Sequence, residues 1–189
     1  VFRQLYDADG NPVYNAFADL NGDNQITNDD RYFRNFRPDF TFGFGTNIKY
    51  KKASLSTFFR GQYGGQVYNG LLLTSGYIDR ARPNNTNSLT NVLDFNNAAA
   101  DPNFLDNAGN VKFSDYYLED ASFIRCESIS FGYDFGTLVG GATLNASLNV
   151  NNAFLITKYS GRDPENFGGI DHNFYPRPQS YTLGINIDF

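Results

Sequence analysis

In residues 39–50 the polarity of the chain changes at every step. Phe40, Phe42, Phe44, Thr46, Ile48 and Tyr50 share one parity, and Asp39, Thr41, Gly43, Gly45, Asn47 and Lys49 take the other. This period of two puts the two sets on opposite faces of a β-strand. Residues 53–63 repeat it with Ala53, Leu55, Thr57, Phe59 and Tyr63 against Ser54, Ser56, Arg60 and Gln62, and Phe58 breaks the rule. Residues 142–152 set Ala142, Leu144, Ala146, Leu148 and Val150 against Thr143, Asn145, Ser147, Asn149 and Asn151, and residues 180–189 set Tyr181, Leu183, Ile185, Ile187 and Phe189 against Ser180, Thr182, Gly184, Asn186 and Asp188. The fifth segment, 121–135, is less regular. There Phe123, Ile129, Phe131, Tyr133 and Phe135 share their parity with Arg125 and Glu127, charges that a membrane tolerates near its rim or as a mutual pair.

About ten residues rising ~3.3 Å each and tilted ~45° cross the ~25 Å apolar band of an outer membrane, and all five segments reach that length. The connections alternate too. A tight turn at Lys51 and Lys52 precedes a long loop, 64–120; a short link at 136–141 precedes another, 153–179. Short turns on one side and long loops on the other belong to outer-membrane barrels, whereas long structureless loops count against a compact soluble domain. The expected fold is therefore all-β, an antiparallel transmembrane β-barrel to which this chain contributes five strands. Five do not close a barrel, so they must pair with strands outside the chain. The competing fold is a soluble antiparallel sandwich with one face in the core and the other in water.

Composition removes other classes. With 20 acidic and 15 basic residues in 189 the net charge is −5, which disfavours a phosphate-backbone partner, so no nucleic acid is expected. The 19 Phe, 13 Tyr and 18 Gly favour strands and turns, and the lone Cys126 excludes an internal disulfide framework and any multi-cysteine metal site. No stretch is apolar for long enough to form a membrane-spanning helix, and a negative mean hydropathy does not argue against a barrel, whose strands are only half apolar. The sequence opens at Val1-Phe2-Arg3 with no initiator Met or leader, so a mature or truncated segment is expected.

Residues 1–38 hold one motif of chemical interest. Asp19-Leu20-Asn21-Gly22-Asp23-Asn24-Gln25-Ile26-Thr27-Asn28-Asp29-Asp30 follows the spacing of a calcium loop. The side chains of Asp19, Asn21, Asp23, Thr27 and Asp30 with the Gln25 carbonyl would supply hard oxygens, and Ile26 would pin the loop. Asn24 stands where such loops place glycine, and Asp30 where they place a longer glutamate. A metal-free, Asx-rich turn is the alternative.

Several stretches, in this order, resemble the C-terminal part of SusC-like TonB-dependent transporters of the Bacteroidetes outer membrane. They are the acidic loop Asp19-Leu20-Asn21-Gly22-Asp23; Arg37-Pro38-Asp39-Phe40-Thr41-Phe42-Gly43-Phe44; Tyr117-Leu118-Glu119-Asp120-Ala121-Ser122-Phe123-Ile124-Arg125; Thr157-Lys158-Tyr159-Ser160-Gly161-Arg162-Asp163-Pro164-Glu165; and Tyr175-Pro176-Arg177-Pro178 before a terminal strand that ends in Phe189. The resemblance implies a plugged barrel of about 22 strands, of which this chain is roughly the last quarter. It also implies a bacterial outer-membrane location and import of oligosaccharides or peptides, with a SusD-like surface lipoprotein as lid and the TonB complex as energy source acting through parts missing here. Residues 1–38 would then be an extracellular loop region, and 64–120 and 153–179 the outer rim that meets the lid. Phe40, Phe42, Phe44, Leu55, Phe59, Leu144, Leu148, Leu183, Ile185 and Ile187 would face outer-membrane lipid.

An enzyme is not expected. His172, the only histidine, follows Asp171 in a loop without a serine-nucleophile, zinc or phosphate motif, and Asp163 and Glu165 read as solvated loop acids. The second functional reading is a soluble calcium-dependent carbohydrate-binding β-sandwich module that stacks sugars on Tyr159, Phe174 and Tyr175. It leaves the apolar strand faces and the alternating loop lengths unexplained.

Overall fold

The alternating segments form strands that hydrogen-bond in a single antiparallel sheet. A computed structural model describes residues 1–75, 113–138, 140–166, 168–172 and 175–189. The chain divides into two units, one made of 1–37, 66–120 and 160–174 and the other of 38–65, 121–159 and 175–189.

In the first unit, β1 (Gln4–Tyr6) pairs with β2 (Pro12–Phe17). In the second, β3 (Phe40–Tyr50) and β4 (Ala53–Tyr63) form a hairpin whose two-residue turn puts Lys51 at φ +52°, and Lys52 Nζ donates to the Phe135 carbonyl at 3.0 Å. The first unit continues with β5 (Gln66–Asn69), the short helix α1 (Gly70–Ser75) and β6 (Leu118–Asp120). The second continues with β7 (Phe123–Thr137) and β8 (Thr143–Thr157). Last come β9 (Ile170–Asp171) of the first unit and β10 (Ser180–Asp188) of the second.

The five long strands run in the order β10-β8-β7-β4-β3, all neighbours antiparallel. Register lines their side chains into rows that alternate in polarity. Ile48, Leu55, Phe131, Leu148 and Leu183 form one row across all five strands, and the adjacent row is Asn47, Ser56, Ser130, Asn149 and Thr182. The sheet is not closed: β3 and β10 are its outer strands. Its apolar face is open, with Leu183 71% and Phe44 54% exposed. The sheet contains its own shape matches. A Cβ on Gly61 would lie 2.6 Å from the Phe42 ring, so that ring occupies space that only glycine leaves free. Phe58, out of phase in the sequence, lies over Gly43 and Gly45 on the polar face, the arrangement by which an aromatic ring covers strand glycines.

One expectation is corrected. Phe58 and Phe59 face Ser128 and Cys126, so β7 carries an extra residue, Glu127, and the parity of its side chains inverts there. Phe123 and Arg125 therefore lie on the polar face and not with Ile129, Phe131 and Tyr133. Cys126 stays on the apolar face between Phe59 and Phe154 and is fully buried. A second bulge lies between Asp134 and Gly136, where Gly136 takes φ +82° and donates to Asp134 Oδ1 at 2.7 Å.

The first unit has a core of its own. Tyr68 stacks on Phe113 with ring centroids 3.7 Å apart and tilts against Tyr117, while Phe2 packs on Phe17. β5 pairs with β6 antiparallel and with β9 in parallel. Asn69 accepts from Leu72 N at 2.8 Å at the start of α1 and donates to Glu119 Oε1 at 2.8 Å, and Ser160 Oγ donates to the same oxygen at 2.7 Å. Residues 84–97, the centre of the expected rim loop, and Phe174 lie outside the described residues.

Candidate functional site

Two places carry concentrated polar chemistry, one in each unit. The first is the acidic loop. Gly22 at φ +80° and Asn24 at φ +62° curl it, and asparagine tolerates that left-handed conformation better than most residues. Asp19 Oδ1 accepts from Gly22 N at 2.6 Å and Oδ2 from Asn24 N at 2.7 Å; Asp23 Oδ1 accepts from Gln25 N at 2.8 Å. Asn21 Nδ2 donates to Asp23 Oδ2 at 3.1 Å, and Thr27 Oγ1 accepts from Asp29 N at 3.2 Å. Asp30 has 0% exposure, and its two oxygens take the N–H groups of Leu20 at 2.7 Å and Thr27 at 2.8 Å. Asp30 thereby ties both ends of the loop together.

An ionised carboxylate offers about four acceptor positions, so these side chains keep some capacity for a cation. Among the described residues, however, no three His, Cys, Asp or Glu side chains converge as a metal site. The six positions expected to bind calcium, Asp19, Asn21, Asp23, Gln25, Thr27 and Asp30, lie together in one curled loop held by these hydrogen bonds.

The N–H groups of Thr27, Leu20 and Asn21 hold the Asp30 carboxyl below its ordinary value. The sign of the pH effect follows. A group whose pKa is depressed by folding adds stability above its unfolded value, near 4, and loses it as pH falls through the lower folded value. The first unit should therefore lose thermal stability below about pH 4. Asp30→Asn turns an NH₂ group toward a backbone N–H and should lower the thermal midpoint by several degrees at pH 7, while flattening the acid part of the profile. A melting series from pH 7 to 3 on both proteins tests this; parallel profiles would remove Asp30 as the cause.

The second place is on the polar face of the sheet, where the inverted parity of β7 brings charged groups together. Glu127 Oε1 pairs with Arg60 Nε and lies 3.9 Å from Arg125 Nε and 3.8 Å from Arg177 Nη1. Arg125, 2% exposed, donates from Nη1 to Asn152 Oδ1 at 2.7 Å, and Asn152 Nδ2 donates to the Arg177 carbonyl at 2.7 Å. The guanidiniums of Arg60 and Arg125 also sit 5.6 and 5.5 Å from the Phe123 ring centroid. Sequence reasoning placed Arg125 and Glu127 on the wrong face and did not associate Arg60 or Arg177 with them. The available signal was the break in alternation itself, since a parity that fails in mid-strand marks a bulge.

Two of the acids weighed for catalysis take local structural roles. Asp163 Oδ1 accepts from Glu165 N at 3.0 Å, and Asp171 is a buried residue of β9 opposite Asn69.

Comparison with known proteins places this arrangement. No family model matches the chain. It is 33% identical over 199 aligned positions to the TonB-dependent receptor SusC of Bacteroides thetaiotaomicron, covering 100% of this chain and 19% of that protein. It is 29% identical to the TonB-dependent receptor P3 of Formosa agariphila, covering 96% of this chain and 19% of that protein. Among solved structures, it matches the RagAB peptide importer in its closed-closed state with a TM-score of 0.64 at 24% identity, over 98% of this chain and 20% of that one. The open-open state of the same importer gives a TM-score of 0.63 over 87% of this chain. The chain thus spans about one fifth of the length of the relatives it matches. With five antiparallel strands in one unclosed sheet, the chain is similar along its whole length to a SusC-like stretch of TonB-dependent receptors.

Proposed function

We propose that this chain forms part of the wall of an outer-membrane barrel that imports oligosaccharides or peptides, driven by the TonB complex and covered by a SusD-like surface lipoprotein. The observation that carries the reading is the five-strand sheet, whose two faces differ in kind: one is apolar with exposed side chains on all five strands, the other carries Ser, Thr and Asn and the Glu127 cluster. A continuous exposed apolar face calls for an apolar surround, which lipid supplies. The polar face is suited to a hydrated lumen. The relatives are named as receptors, which favours transport over catalysis. A sandwich module would need a second sheet over the apolar face, whereas all five long strands lie side by side in one.

Single cysteines at Phe44, Leu148, Leu183 and Ile185 of the full-length protein in vesicles should react with an apolar, bilayer-restricted reagent, and cysteines at Asn145, Asn149 and Asn186 with a water-soluble one. The reverse pattern would overturn the reading. The acidic loop is proposed to take calcium, on the strength of its hard-oxygen donors and its curled backbone; binding would exchange part of the hydrogen bonding of Asp19, Asn21 and Asp23 for ion contacts. Calcium, but not magnesium, should then raise the melting temperature of the loop-bearing unit, and Asp23→Ala should abolish the rise. An unchanged melting curve in calcium would leave a metal-free turn.

A further inference from the structure

The chain contains two Asn-Gly pairs, Asn21-Gly22 and Asn69-Gly70, and the structure puts them in opposite environments. Asparagine followed by glycine is chemically labile. The glycine nitrogen attacks the carbonyl carbon of the asparagine side chain, since glycine has no Cβ to obstruct the approach and tolerates the backbone angles it needs. The rate depends on how three groups are held: the N–H that attacks, the carbonyl oxygen and the amide that leaves.

In the acidic loop each of the three meets a partner suited to its step. The Gly22 N–H donates to Asp19 Oδ1 at 2.6 Å, so a carboxylate sits where the proton must go. Asn21 Oδ1 accepts from Asp23 N at 3.0 Å, which puts a backbone donor on the oxygen that gains negative charge as its carbon becomes tetrahedral. Asn21 Nδ2 donates to Asp23 Oδ2 at 3.1 Å. Both residues are exposed, and Gly22 takes φ +80°.

Asn69 is 3% exposed, and its side chain is held by Leu72 N, Glu119 and Ser160. Gly70 opens α1, packed so closely that a Cβ there would lie 2.6 Å from the Asp171 carbonyl oxygen. Ring closure at this pair would break the start of the helix.

We infer that Asn21-Gly22 is a self-modification site, at which Asn21 becomes aspartate or isoaspartate through a cyclic imide with Asp19 as the base. In the first step the Gly22 nitrogen gives its proton to Asp19 and bonds to Asn21 Cγ. The Cγ–Nδ2 bond breaks, and Nδ2 takes up that proton and leaves as ammonia. In the second step water adds its hydroxyl to one of the two imide carbonyls, the bond from that carbon to the ring nitrogen breaks, and the nitrogen takes the remaining proton. Nothing is oxidised or reduced. The product adds a carboxylate between Asp19 and Asp23, and the isoaspartate form also lengthens the backbone inside the curl.

The test ages the full-length protein in detergent, in warm neutral buffer without divalent cations, so that the calcium reading plays no part. Protease digestion and peptide mass spectrometry follow Asn21 and Asn69, with the urea-unfolded protein as reference. The mass gain of amide-to-acid conversion should appear at Asn21, split between two chromatographic peaks, and several-fold faster than in urea. Asn69 should stay an amide in the folded protein and convert in urea. Asp19→Asn keeps an acceptor for the Gly22 N–H but removes the base, and should slow folded-state conversion about tenfold, less than a well-matched base contributes. Conversion of Asn21 no faster in the folded protein than in urea would overturn the inference and show that the same hydrogen bonds protect the loop. So would an Asp19→Asn variant that melts like the wild type and converts at its rate. If that variant does not fold, the comparison of folded with urea-unfolded wild type decides alone.

Discussion

Leu183→Arg should sharply reduce the folded, membrane-assembled population, whereas Thr182→Arg, one residue away on the same strand, should leave it nearly unchanged. The two positions belong to adjacent rows of opposite character. Leu183 ends the row of Ile48, Leu55, Phe131 and Leu148, and Thr182 ends the row of Asn47, Ser56, Ser130 and Asn149. An arginine on the lipid face near the bilayer midplane costs ~2–4 kcal/mol, enough to change the folded fraction by more than an order of magnitude. On the lumen face the same guanidinium meets water and asparagine. The ratio of folded to unfolded bands on gels of outer-membrane fractions reads the difference. Equal loss at both positions would mean that the strand tolerates no charge on either side, and no loss at either would favour a water-facing sheet.

Glu127→Gln is expected to be the most damaging single change on the polar face. Its carboxylate is shared by Arg60, Arg125 and Arg177, and Arg125 is nearly inaccessible to water. Removing one member of a buried charged group leaves the others desolvated without compensation. The full penalty for such a break is about 3–5 kcal/mol, and the partial exposure of Glu127 and Arg60 reduces the expected cost to about 2 kcal/mol. Urea unfolding of the detergent-solubilised full-length protein measures it. Pairing Glu127→Gln with Arg125→Met should recover part of the loss, because the second change removes the charge left stranded. An additive double variant would show that Arg125 is satisfied without Glu127.

The sequence and the structure agree wherever a strand keeps one parity from end to end. β3, β4, β8 and β10 were legible because Phe44, Leu55, Leu148 and Leu183 fall in phase with their neighbours over nine or more residues. β7 was legible as a strand but not face by face, since Glu127 shifts the phase in its middle and a fixed period cannot follow an insertion. The strands of the first unit were not legible. Of these, β1, β5, β6 and β9 span two to four residues, too few to establish any period, and the hydrogen bonds joining Asn69, Glu119 and Ser160 bridge 41 to 91 positions of sequence. The acidic loop could be picked out by spacing alone, but spacing does not reveal that Asp30 would be turned inward onto backbone N–H groups.

The strand order also constrains how the sheet can assemble. β3 with β4 and β7 with β8 join through short turns, so these hairpins close with little loss of chain entropy. The β4–β7 pairing must bring together ends separated by some sixty residues, and the outer edges of β3 and β10 are unpaired in this sheet. Those two edges can be covered only by strands that this sheet does not contain. Until they are covered, each edge presents a row of unpaired donors and acceptors that another copy could extend. The open edges therefore set a window for aggregation, and a variant that slows their covering would show itself as aggregation without any change in the stability of the finished wall.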